Sequence, residues 1–345
     1  MNRYQRLIFR APFPFAFGRY ARIGVAALPL VTGGIVLFLA LGFLHLIGTN
    51  APQSHFFPSL EPSTRPWVHD FLVTESRART YWLLSTLILS LFYVVIITFV
   101  PGVIYRALTD TGRLPRNRAW FCAAFSLLAS IWIAVNGNWL VAAVDIPVFR
   151  QLLSQLKLSF GMTPTDVAIP LIHGLLGCLV LIFIAFCVIL LNKFDQASAV
   201  RVYERESRRL RVLMYLCSGL MAAVVANVAT LLSWPSTSAA VAPSTADSHG
   251  ALAADIAGYS ATISIAVGVI LTLVLFSGYG MATILLRLQV ERSAPEHEQG
   301  QPIEKWIDEK VSSASLIERI SRIGAILGPM IAGALFPAAL ALLKK

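Results

Sequence analysis

Long stretches without charge alternate along this chain with connections that hold its charge. Six uncharged runs exceed 20 residues: Ile23–Ile47, Tyr81–Tyr105, Ala119–Val144, Val167–Leu191, Val212–Trp234 and Ile256–Leu286. None contains Asp, Glu, Lys or Arg. About 20 apolar residues in a helix cross the roughly 30 Å hydrocarbon core of a bilayer. Lipid offers no partner to backbone N–H and C=O groups, and a helix satisfies them within one segment, so each run predicts a transmembrane helix. A seventh stretch, Ile323–Leu343, is also uncharged. At 1.5 Å per residue it reaches about 31 Å, just enough to span. Pro329 and Pro337 would break that helix unless neighbouring protein satisfied the freed backbone groups. The stretch therefore predicts either a seventh crossing or a re-entrant segment. Gly324 and Gly328 form a GxxxG pair, and with Gly333 they would permit close helix approach.

The connections differ in character. Residues 1–22 mix Arg with Phe and Tyr and read as a basic, aromatic anchor at the interface. Residues 48–80, rich in Pro and aromatics, predict an irregular loop. Residues 148–160 place apolar side chains on one helical face and predict a short helix in the interface. Residues 235–255 are rich in Pro, Ser, Thr and Ala and predict a flexible link. Beyond the six-helix region (23–287), residues 288–302 form a polar linker. Residues 303–322 carry Ile and Val at helical spacing between charges, the pattern of an amphipathic helix. The fold class expected is an all-α polytopic integral membrane protein with six to seven transmembrane helices and an interfacial amphipathic helix near its C-terminal end.

Composition narrows this further. The chain is 57% hydrophobic and 13% charged, against roughly 25% charged in soluble domains. The net charge of +10 flanks the apolar runs rather than forming a basic domain, so the expected partner is an anionic bilayer surface and not nucleic acid. The N-terminal tail and alternate connections hold 21 Lys and Arg against 5 in the others. By the positive-inside bias the N-terminus and the basic connections are cytoplasmic. The Arg- and Ala-rich composition suggests a bacterial inner (plasma) membrane. The first run is too long for the core of a cleavable signal peptide and reads as a retained span.

Candidate chemistry is sparse. There is no phosphate-binding loop, zinc-protease motif or nucleophile elbow. Cys122, Cys178, Cys187 and Cys217 all lie within apolar runs without ligand spacing, so no metal site is expected. Five polar residues fall in the outer half of the predicted spans: His45, Asn136, Asn138, His173 and Asn227. They suit hydrogen bonds between helices, or an outward-facing site for a small polar ligand. A haem between His45 and His173 would need closely facing rings, so no cofactor is expected. Arg201, Arg205, Arg208, Arg209 and Arg211 form a basic cluster that suits anionic lipid or a protein partner. Phe276–Gly280, "FSGYG", lies within a long run and reads as helix packing.

These features lead to the expectation of a non-enzymatic component of a membrane complex, homo-oligomeric or with a membrane protein partner, docking through its cytoplasmic face. A channel or facilitator with an outer polar vestibule is the alternative. A membrane-embedded enzyme acting on lipid-linked substrates, with Asp145, Asp166 and His173 as its only candidate groups, ranks behind both.

Overall fold

The computed structural model of the protein describes residues 26–36, 67–110, 115–136, 164–191, 199–241, 248–293 and 316–343. Among these residues there are seven helices and no strand: α1 (Ala26–Val36), α2 (Trp67–Thr109), α3 (Arg116–Val135), α4 (Pro164–Leu190), α5 (Ala199–Val241), α6 (Ser248–Ser293) and α7 (Leu316–Leu343). Six of them, α2 to α7, are long and apolar enough to cross a membrane. They are not the same six as the runs counted above. The first run is described only over α1, and the C-terminal stretch supplies the sixth long helix.

Several helices overrun the boundaries that the uncharged runs suggest. α2 begins at Trp67, inside the stretch expected to be irregular. α5 begins at Ala199, well before Val212, and takes in the whole arginine cluster. Most of the 235–255 stretch is helical, shared between the end of α5 and the start of α6. The physical reason is cooperativity: once nucleated, a helix gains one hydrogen bond per added residue, and Ala, Arg and Glu propagate it well in water or lipid. Absence of charge marks the hydrocarbon core, not the end of the helix. α5 has 43 residues and α6 has 46, about 65 Å or more of helix, which is over twice the hydrocarbon thickness. α6 also takes in the first residues of the expected 288–302 linker. The residues divided above at Arg322 run, from Leu316 on, as one helix. The short helix expected at 148–160 lies outside the described residues, as do 1–22 and 303–315.

α5 is the centre of the bundle, packed on α2, α4, α6 and α7, while α3 sits outside against α2 and α4. Side-chain contacts fix the directions. α2 and α5 run antiparallel in one register: Trp82 meets Trp234 with ring centroids 5.7 Å apart, Ser85 lies opposite Thr230, and Asp110 takes Arg209. α3 returns antiparallel to α2, with Tyr105 and Trp120 rings 5.0 Å apart. α5 and α7 run parallel, with Tyr215 opposite Ser321 and Ser218 opposite Ala325. α6 and α7 run antiparallel, with Gly268 against the Pro329 carbonyl and Gly333 against that of Ser264. Odd-numbered helices therefore point one way and even-numbered helices the other, as successive crossings of a bilayer require.

Two devices hold the helices close. The first sets aromatic rings into glycine notches: the Phe183 ring of α4 packs on Gly33 of α1 and Gly278 of α6, where a Cβ would overlap it, and Phe92 fits against Gly219. The second answers the proline at 329. Proline has no N–H, so the carbonyl four residues earlier, on Ala325, loses its helical partner. Ser218 Oγ of α5 donates to that carbonyl. The next amide, Met330 N–H, donates to Thr272 Oγ1 of α6 at 3.1 Å. Gly328 leaves the space through which Ser218 reaches, because a Cβ there would stand 2.7 Å from its hydroxyl. α7 thus passes Pro329 with both disturbed backbone groups satisfied by its neighbours.

Candidate functional site

A connected knot of polar groups lies between α2 and α5. Asn227 is buried. Its Nδ2 donates to Thr86 Oγ1 at 2.8 Å and to Ser85 Oγ at 3.1 Å. Ser85 Oγ lies 2.9 Å from Thr230 Oγ1 and donates to the Trp82 carbonyl at 2.7 Å. Thr230 donates back to Ala226 and Asn227 carbonyls of its own helix. In a low-dielectric interior such a connected set stabilises one register of two helices, since shifting either helix would leave donors unpaired.

Most of the charged groups among the described residues lie at one end. There, α5 extends beyond its uncharged segment and meets the last residues of α2. Glu206 is 0% exposed. Its Oε1 accepts from Arg209 Nη1 at 2.7 Å and Arg205 Nε at 3.0 Å. Arg209 Nη2 also reaches Asp110 Oδ2, and Arg205 Nη1 lies 3.8 Å from the same oxygen. Two guanidinium groups thus face two carboxylates. Burying one carboxylate without such partners would carry a large desolvation cost. Glu206 Oε2 is buried with no hydrogen-bond partner among the described residues. Nearby, Arg287 pairs with Glu291 at 2.6 Å, and Gln289 Nε2 caps the Leu190 carbonyl at the end of α4 at 2.9 Å.

The helix sorts the basic cluster by face. Arg205 and Arg209, one turn apart, lean onto Glu206 and Asp110. Arg201 and Arg208 are exposed, with no ion pair among the described residues, and Arg211 is half-buried. Of the five polar residues picked out above, Asn227 is engaged in the α2–α5 knot. Asn136 caps the C-terminal end of α3, exposed, its Nδ2 donating to the Trp132 carbonyl at 2.9 Å. His173 lies one turn before Gly177, where α4 touches Ser130 and Ala134 of α3. Its Nε2 is buried without a hydrogen-bond partner among the described residues. No hydrogen bond joins Asn136, His173 and Asn227 to one another. His45 and Asn138 lie outside the described residues, so the His45–His173 pairing does too. Among the described residues no three His, Cys, Asp or Glu side chains gather as metal ligands would.

Sequence reading missed the buried state of Glu206 and its link to Asp110. The Arg205–Glu206–Arg209 spacing was a local signal, but Asp110 lies on another helix far along the chain. No protein-family model, no curated protein and no solved structure matches this chain.

Proposed function

We propose that this chain is a non-catalytic multi-pass membrane protein that serves as a subunit or oligomeric component of a membrane complex and meets its partners through the basic end of the bundle. That end would face the cytoplasm of a cell whose plasma (inner) membrane holds the protein. The observation that carries this reading is the division of polar groups. Within the spans, Asn227, Ser218 and Thr272 are engaged in joining helices, whereas Arg201 and Arg208 stand exposed at the basic end with no ion pair among the described residues. An exposed guanidinium is well suited to an acidic patch on another chain.

The test places a photo-crosslinking amino acid at position 208 in native membranes. A discrete protein adduct, lost when Arg201 and Arg208 are both changed to Glu, is the expected result. Crosslinks to lipid alone, with unchanged migration on native gels for the double variant, would count against it. A second reading, a facilitator with an outer polar vestibule, draws on the buried Nε2 of His173, which has no hydrogen-bond partner among the described residues. Its test is solute flux into liposomes, which His173→Leu would have to abolish.

A further inference from the structure

α3 stands at the edge of the bundle, and its two faces differ sharply. The face against α2 and α4 buries the small residues Ala119, Ala123 and Ser130. The opposite face carries Phe121, Phe125, Leu128 and Trp132, each between 62 and 73% exposed. Counted from Arg118, they fall at steps of three, seven, ten and fourteen, which is one continuous stripe down a helix. From Phe121 to Trp132 the stripe is about 16 Å long, enough to accompany an acyl chain through one leaflet of a core about 30 Å thick.

Three arginines lie at the end of the α2–α3 hairpin from which the stripe starts, and Arg118 is the one in line with it. Arg116 and Arg118 of α3 are exposed, and so is Arg106 of α2. Arg106 follows Tyr105, whose ring pairs with Trp120 and so brings the two helix ends together. None of the three has an ion pair among the described residues. Asp110, the one acidic residue between Arg106 and Arg118, turns instead to Arg205 and Arg209 of α5. The foot of this hairpin therefore presents positive charge with its only local carboxylate drawn away. Guanidinium groups bind phosphate in bidentate fashion, and paired aromatic rings suit head-group depth.

We propose that this face of α3 is a binding site for an anionic phospholipid of the leaflet at the basic end, with the phosphate on Arg116 and Arg118 and an acyl chain along the stripe. The proposal rests on the reading that α2 to α7 cross a bilayer. The stripe selects a lipid over a free phosphate, which has nothing to lay along it.

Native mass spectrometry of the full chain in neutral detergent, titrated with phosphatidylglycerol or phosphatidylcholine, tests the site. The expected result is a retained phosphatidylglycerol adduct that soluble glycerol phosphate does not displace. Arg116→Gln with Arg118→Gln should reduce the preference for phosphatidylglycerol about 25-fold, at about fivefold per arginine. Arg116→Lys with Arg118→Lys should retain most of it. Arg77→Gln, at an exposed arginine near the other end of α2, should change it little. Equal binding of the two lipids by the unaltered chain, an equal loss in the Arg77 variant, or displacement by glycerol phosphate would each overturn the proposal. Failure of the bilayer reading would look different: the chain would leave membranes in an alkaline carbonate wash, whichever variant was used.

Discussion

Ser218→Ala removes one hydroxyl, and the cost of that change depends on a proline in another helix. The hydroxyl donates to the Ala325 carbonyl, which Pro329 has deprived of its helical partner. Leaving a buried acceptor unsatisfied costs about 1–3 kcal/mol, while interhelical hydrogen bonds measured in a membrane average about 0.6 and reach about 1.7 kcal/mol. Ser218→Ala should therefore destabilise the bundle by about 1–2 kcal/mol. Pro329→Ala restores an amide that can bond Ala325 within α7, so in that background the same substitution should cost less than about 0.5 kcal/mol. Cys217, Cys178 and the half-buried Cys122 and Cys187 supply the assay. A thiol-reactive fluorophore reports unfolding in detergent as these side chains become accessible. A full double-variant cycle should show a coupling near 1 kcal/mol. An equal cost for Ser218→Ala with and without Pro329 would refute the assignment of the hydroxyl to the proline-freed carbonyl.

Three further outcomes follow from the packing. Arg209→Ala leaves buried Glu206 with Arg205 alone and should destabilise by about 2–4 kcal/mol, given that breaking a buried pair costs about 3–5 kcal/mol. Adding Glu206→Gln should recover much of that loss in the same thiol assay, and no recovery would mean the cost lies in packing rather than charge. Asn227→Leu removes two donors between α2 and α5 and should cost about 1–2 kcal/mol, with Ser85→Ala adding little afterwards because the knot is already broken. Gly278→Ala pushes a methyl into the Phe183 ring and should cost about 1–3 kcal/mol; Phe183→Leu in the same chain should restore part of it, and a simple sum of the two losses would contradict the notch.

The long apolar helices were readable because a charge in hydrocarbon is so costly that its absence over about 20 residues predicts a span. That same signal misplaces helix ends. It stops at Arg211, whereas α5 runs back to Ala199 through residues that favour helix in water as strongly as any in the span. It also hid Glu206, which looks like a solvated charge among arginines until α2 brings Asp110 alongside. Asn227 was visible as a polar residue in a span, but a donor used between helices and a donor offered to a ligand are the same group in the sequence. Only the placement of Ser85 and Thr86 opposite it separates them. Pro329 shows the limit most plainly. The sequence says that a carbonyl will be freed on Ala325, and nothing local says that Ser218 will answer it.

The proposed function requires a bundle whose helices alternate across a bilayer with the arginine-rich end inside. In a chain whose native cysteines are replaced by Ala, Ser244→Cys sits in the connection between α5 and α6, and Thr111→Cys in that between α2 and α3. Intact cells treated with a membrane-impermeant maleimide should label the cysteine at position 244 and leave the one at 111 untouched until the membrane is opened. Labelling of both in intact cells, or of position 111 alone, would contradict the alternation or its direction.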